Sequence, residues 1–188
     1  MKYVKMLGLL AVAVTALMAF AGTASATVTS PANTKLGKVV ATSTNSELDG
    51  TVDITCAHSE VEAVGVNSSG VATAGSTTGR VDKLTFTNCN RTVTVTNRGH
   101  IFVHPSGTVT STGARVTVQT TILGFPVHCI YVTNNTDVGT LTEGVAPAVM
   151  HIGSAPIDQE ATSGLCGEDA EWTGTYTVTN PATAITVD

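Results

Sequence analysis

Alternation of apolar and polar residues with a period of two is the feature that most constrains how this chain can fold. The clearest case is the segment WTGTYTVT, in which Trp172, Gly174, Tyr176 and Val178 alternate with threonines. Successive side chains of an extended strand point to opposite faces. The pattern therefore predicts a strand with one buried face and one solvated face.

The same alternation recurs along the chain. It is present in VDITC (52–56), KLTFT (83–87) and TVTVT (92–96), and turn signals such as Asp49-Gly50 and Asn180-Pro181 separate the runs. Many short strands punctuated in this way are typical of antiparallel sheets. No stretch after the N-terminal region sustains a helical period over three turns. The sequence therefore predicts an all-β fold, either an antiparallel β-sandwich or a flattened β-barrel stapled by disulfides.

The N-terminal region has the composition of a secretory signal peptide. Lys2 and Lys5 precede an apolar run at 7–20, and Ala24-Ser25-Ala26 follows it. A basic start, an apolar centre and small residues at the end are what signal peptidase accepts. The apolar run is shorter than the roughly 20 residues of a spanning helix. We therefore expect cleavage after Ala26, which releases a secreted, extracellular protein.

The remaining residues, 27–188, have the size of one domain. We expect a single β-rich secreted domain in which residues 27–33 form a flexible leader. The segment NSSGVATAGSTTG (67–79) is rich in turn-forming residues. It is interpreted as a long hairpin tip or a mobile loop.

The charge balance limits the partners of the chain. The formal net charge is −5, with only 9 lysines and arginines among 188 residues. Phosphate backbones and anionic lipids attract clustered basic residues, which this sequence lacks. We expect no nucleic-acid partner and no integral membrane anchor, and we consider envelope components or a small apolar ligand instead.

Four cysteines, Cys56, Cys89, Cys129 and Cys166, are present. In an exported chain they indicate two disulfides, and four cysteines allow three pairings. Sequential strands usually lie next to each other, which favours Cys56–Cys89 and Cys129–Cys166 as a hypothesis. The other two pairings stay open. No Cys-x-x-Cys pair supports a zinc or redox site.

Two histidines, His100 and His104, stand four residues apart in GHIFVHPSG (99–107). The β-branched and aromatic residues between them predict a strand. On a strand the pair would be roughly 13 Å apart, whereas zinc holds each nitrogen at about 2.1 Å. The pair alone cannot chelate a metal ion. A partner from a neighbouring strand, such as His128 or His151, is the alternative, and we favour surface positions and predict no metal site.

Glu60 and Glu62 are the candidates for a pair of catalytic carboxylates. Glu60 and Glu62 would share a strand face about 7 Å apart, within the range of some glycosidase pairs. The aromatic platforms for sugars are mostly missing, so a solvated charged face is favoured. The acidic cluster at 168–171 is interpreted as a solvated turn beside Cys166 rather than as a calcium site. No nucleophile elbow or phosphate-binding glycine loop is present. We predict no catalytic residues, no cofactor and no enzymatic activity.

The ordered motifs VDITC, KLTFTNC, GFPVHCIY, GLC and WTGTYTVTNP, within residues 49–187, resemble a group of secreted actinobacterial β-rich proteins of unassigned function. Members of this group have a signal peptide, cysteines in similar settings and a comparable C-terminal strand. The resemblance implies a bacterial source and an extracellular location. It brings no catalytic residues to this chain.

Three functions are consistent with these features. The first is an exported structural or binding module of the cell exterior without catalytic activity. The alternative is a carrier of a small apolar ligand within the β-fold, and a secreted hydrolase ranks third. A packed interior would favour the first, a continuous apolar cavity the second, and polar groups converging in a cleft the third.

Overall fold

The computed structural model describes residues 28–29, 37–65, 77–160, 164–167 and 169–187. These residues form twelve strands and no helix. The strands are β1 (Val28–Thr29), β2 (Lys38–Ser43), β3 (Ser46–Asp49), β4 (Ile54–Val64), β5 (Thr77–Cys89), β6 (Thr92–Val103), β7 (Thr108–Ile122), β8 (Phe125–Val132), β9 (Thr136–Thr142), β10 (Val149–Glu160), β11 (Ala170–Asn180) and β12 (Thr186–Val187).

Within the part of the chain that the structure describes, no helix is long and apolar enough to cross a membrane.

Ten strands, β2 to β11, form one antiparallel sheet that closes on itself. Strands β2 and β3 follow each other between β4 and β11, and β8 and β9 follow each other between β7 and β10. Each of these pairs occupies one position, so the barrel has eight strands in up-and-down order. The prediction of an all-β fold is confirmed. The sequence left a sandwich and a barrel open, and the structure has a barrel. The sandwich is not confirmed, because the ring of hydrogen-bonded strands is not divided into two sheets.

The barrel has two distinct ends. We call the lower end the one that carries the β7–β8 hairpin and the β5–β6 turn. The upper end carries the β6–β7 turn, the β9–β10 connection and the small sheet in which β1 pairs with β12. This small sheet includes Val28 and Thr29 of the expected leader, and the other leader residues lie outside the described residues.

The period-two alternation has the predicted result on β11. Tyr176 and Val178 are buried in the barrel, whereas Thr175 and Thr179 are exposed outside it. The apolar faces of the other strands supply the rest of the core. Burial of apolar surface in this single interior is the main source of stability for such a fold.

The alternation reverses at one level of the barrel, on three adjacent strands. In regular alternation one residue separates two buried positions. Here two residues separate the buried Ser43 from the buried Ser46, and two separate the buried Cys56 from the buried Ser59. On β5 the reversal coincides with Asn88, whose φ is 53°. Asparagine tolerates this left-handed conformation better than most residues. The reversal places Cys89 directly opposite Cys56.

Two disulfides staple the barrel. Cys56 of β4 is bonded to Cys89 of β5, and Cys129 of β8 is bonded to Cys166 in the β10–β11 connection. This is the pairing expected from the sequence. Disulfides of this kind are characteristic of proteins from oxidising compartments such as the cell exterior.

Two other expectations concern connections. The loop expected at 67–79 ends earlier, because Thr77, Thr78 and Gly79 already pair with β6 as the start of β5. Its remaining residues lie outside the described residues, as does the expected signal peptide at 1–26.

Candidate functional site

Two apolar cavities lie in the interior of the barrel, each lined by described residues. The lower cavity has a volume of about 70 Å³, and its lining includes Leu48, Phe86, Val116 and Trp172. An engineered apolar cavity of about 150 Å³, twice this volume, binds benzene. The lower cavity is therefore smaller than a benzene-sized ligand in this conformation.

The upper cavity has a volume of about 60 Å³ and is lined by residues that include Val61, Met150 and Ile185. Ile185 is almost completely buried and precedes β12. Its carbonyl oxygen accepts a hydrogen bond from the Gly144 amide at 2.9 Å. The segment before β12 is thus held across the upper end, where Ile185 contributes to the cavity wall.

Tyr176 lies between the two cavities. On the inner face of β11 it follows Trp172, which lines the lower cavity, and precedes Val178, which lines the upper one. The rings of Trp172 and Tyr176 pack edge to face with centroids 5.9 Å apart. The side chain of Tyr176 is 0 % exposed, and the Ser59 hydroxyl donates a hydrogen bond of 2.8 Å to its phenol oxygen. This buried contact lies between the residues that line the lower cavity and those that line the upper one.

Burial raises the pKa of Tyr176 to about 12, and the hydrogen bond with Ser59 partly offsets the increase. Burial disfavours the phenolate because the charged form loses its hydration. The phenol is therefore neutral at any physiological pH and acts as a structural hydrogen-bonding group.

This pKa predicts an alkaline loss of stability. The phenol of an unfolded chain ionises near 10, and that of folded Tyr176 near 12. The unfolded state therefore releases its proton first, and the stabilisation present below pH 10 is lost as the pH rises towards 12. Between pH 9 and pH 11.5 we expect Tyr176 to account for about 2 kcal/mol of this loss. Urea unfolding at pH 9 and pH 11.5 measures it.

The matched control is Tyr176→Phe, because Tyr131 also has a pKa raised by burial and contributes to the wild-type pH dependence. The variant should be less stable at pH 9 and should lose less stability up to pH 11.5. Equal losses in the two proteins would contradict the assignment to Tyr176.

Two buried hydroxyls in the lining of the lower cavity, those of Ser46 and Tyr131, have no hydrogen-bond partner among the described residues. A buried hydroxyl without a partner costs free energy.

The structure does not bring the histidines together. His100 is exposed on β6, opposite Arg80 and Thr112. His104 follows the end of β6, and its Nε2 lies 3.2 Å from the Thr110 hydroxyl.

His128 and His151, the alternative partners, occupy different strands. His128 of β8 is opposite Gln119, and His151 of β10 is opposite Thr140 and Thr175. Among the described residues, no group of three or more His, Cys, Asp and Glu side chains could hold a metal ion.

The two glutamates of β4 form ion pairs across strands. Glu60 accepts a hydrogen bond from Lys83 at 2.9 Å, and Glu62 lies 2.8 Å from Lys38. Each carboxylate therefore has its own cation, as expected for a solvated charged face. In the acidic cluster, Asp169 and Glu171 are exposed, and Glu168 lies outside the described residues.

Sequence reasoning missed the residues that organise the interior. Tyr176 was assigned to the correct face, but its place between the cavities depends on Ser59, more than a hundred residues away in the sequence. No local motif marks such a contact.

The chain matches no protein-family model, no curated protein and no solved structure. Its function has to be inferred from its own residues and geometry.

Proposed function

We propose that this protein is an exported structural or binding module of the cell exterior without catalytic activity. It is of bacterial, actinobacterial origin, loses residues 1–26 on export, and meets components of the cell envelope. The proposal is supported by the signal-peptide composition of the N-terminal region and by the two disulfides.

The observation that carries this proposal is the divided interior. The Tyr176–Ser59 contact lies between two cavities of about 70 and 60 Å³. A carrier of an apolar ligand needs a continuous cavity, commonly of about 300 Å³ or more for a drug-sized molecule. The interior is therefore better suited to stabilising the barrel, and binding is assigned to its outer surface.

A carrier of a small apolar ligand is the second candidate, and the lower cavity favours it. Its lining is apolar, as a carrier of an apolar ligand requires. Such a ligand would have to enlarge the cavity on binding. A secreted hydrolase ranks third, because the candidate carboxylates Glu60 and Glu62 each form an ion pair with a lysine.

Fluorescence of Trp172 distinguishes the first two candidates, since it is the only tryptophan and lines the lower cavity. Titration with benzene and with hexanoic acid should give no saturable change in emission. A saturable change that is lost in Val116→Leu, which fills the cavity, would support the carrier instead. The mass of the exported protein tests the location, because we expect it to start at Thr27.

A further inference from the structure

The β7–β8 hairpin extends beyond the lower end of the barrel. Its last strand pair is Ile122 with Phe125. The β6 strand accompanies β7 only as far as Gln119, and the pairing of β10 with β8 begins only at Ile130. Residues 120–128 therefore form a two-stranded ribbon that projects past its neighbours in the sheet. The disulfide between Cys129 and Cys166 fixes its base.

The tip of this ribbon, which we define as residues 122–126, is apolar, and it is exposed except at Ile122, which packs against the core. Leu123 is 84 % exposed and Phe125 is 66 % exposed, the two highest values among the large apolar residues that the structure describes. Such exposure of neighbouring large apolar side chains is unfavourable in water unless a partner covers them.

Leu123 is also unfavourable for the turn that it forms. It has a φ of 51° and Gly124 has a φ of 84°, as in a type I′ turn. Asparagine and glycine suit the first position of this turn, whereas a leucine there is strained. Neither solvation nor turn formation explains leucine at this position, and strain retained at an exposed position indicates a functional role.

The ribbon also lacks formal charge. No Asp, Glu, Lys or Arg occurs between Arg115 and Asp137. A tip that enters an apolar environment has to be free of charged side chains, because their dehydration is costly. The absence of charge thus extends over the whole ribbon and not only over its tip.

We propose that the hairpin tip inserts into the interfacial region of a lipid bilayer with an uncharged surface. A protein partner is less suitable, because a stable interface buries about 800 Å² on each side. An aromatic side chain contributes roughly 150–250 Å², so Leu123 and Phe125 fall well short. A narrow apolar projection can, in contrast, enter the loosely packed interfacial region without a shaped pocket.

Neighbouring residues define the preferred lipid. Leu165, 38 % exposed, precedes the disulfide-bonded Cys166 and adds an apolar side chain near the base of the ribbon. The exposed Asp169 and Glu171 lie at the same end. The chain from Thr27 onwards lacks Lys2 and Lys5, so its formal net charge falls from −5 to −7, and anionic surfaces repel it. The partner is therefore a zwitterionic bilayer.

The test is sedimentation with phosphatidylcholine vesicles, using the chain that starts at Thr27 so that the apolar run at 7–20 is absent. The wild type should bind, and Leu123→Asn should bind at least tenfold more weakly. Asparagine suits the turn, so this variant should fold at least as well as the wild type, as thermal unfolding will show. Phe125→Thr should also lose at least tenfold.

The matched control is Val145→Asn, which removes an exposed apolar side chain (53 % exposed) at the upper end. It should bind as the wild type does. Anionic lipid added to the vesicles should not strengthen the binding.

Failure of the wild type to bind, or equal binding by Leu123→Asn, would overturn the proposal. A concentration-dependent dimer that Leu123→Asn abolishes, without vesicle binding, would overturn it in favour of self-association. The proposal rests on the proposed function only for the extracellular location. Vesicle binding does not depend on export, so a protein that fails to bind vesicles leaves the proposed function standing. A mass showing that the exported protein still includes residues 1–26 would count against the proposed function alone.

Discussion

Removal of the Cys129–Cys166 disulfide, by the paired replacement Cys129→Ala and Cys166→Ala, should lower the free energy of unfolding by about 3–4 kcal/mol. The bond links residues 37 apart in the sequence and ties β8 to the β10–β11 connection. The unfolded chain gains entropy when this loop is opened. A typical domain has only about 5–15 kcal/mol of stability. Urea unfolding under non-reducing conditions measures the change.

The other disulfide supplies the control. Cys56 and Cys89 are 33 residues apart, so Cys56→Ala with Cys89→Ala should cost nearly the same if loop entropy dominates. A loss below about 1 kcal/mol for either pair would contradict the expectation for that bond. A large difference between the pairs would show that native-state contacts, not loop entropy, decide the effect.

Gly99→Ala should destabilise the barrel by about 3–5 kcal/mol, through backbone strain and overpacking. Gly99 has a φ of 68°, which disfavours any residue with a Cβ. A Cβ there would also overlap the backbone of Thr112 and Ala114 on β7. Neither backbone can withdraw without breaking pairs of the sheet. Thermal and urea unfolding measure the loss, and poor recovery of folded protein is its extreme form.

Gly113→Ala is the matched control, because Gly113 lies opposite Gly99 on β7 and has a φ of 73°. Its added Cβ would meet only the Gly99 Cα, at 3.8 Å. Strain alone should cost about 1–2 kcal/mol. Equal losses for the two variants would show that the close approach at Gly99 is relieved by small movements of the sheet.

Local sequence patterns predicted much of the fold. The alternation around Tyr176 correctly assigned the buried face of β11, because side-chain direction in a strand follows from the backbone alone. The Cys56–Cys89 pairing followed from the neighbour rule, since β4 and β5 are consecutive in both sequence and space. Both inferences needed only short stretches of sequence.

Barrel closure could not be predicted in this way. It depends on β11 meeting β2 and β3, whose residues are more than a hundred positions away. The period-two pattern is also interrupted near Ser43 and Ser46, where two residues instead of one separate successive buried positions. An alternating sequence therefore indicated strands but did not distinguish two sheets from one closed sheet.

The candidate sites were hidden for different reasons. The division of the interior depends on Tyr176 and Ser59, which no sequence spacing connects. The hairpin tip was missed because Leu123 replaces the asparagine that usually signals such a turn. A residue that violates the local rule leaves a weak sequence signal, although it is informative once its conformation is known.

The up-and-down order of the strands also has a consequence for the folding pathway. Seven of the eight contacts around the barrel join consecutive strands, and only the seam between β11 and the β2–β3 strand joins distant ones. Loop closure costs more entropy over longer separations. Hairpins of consecutive strands can therefore form one after another at a small cost in chain entropy. The seam closes late and limits the folding rate. Until the seam closes, both of its strands are unpaired edges that can pair with other chains. The chain is therefore most exposed to aggregation before the seam closes.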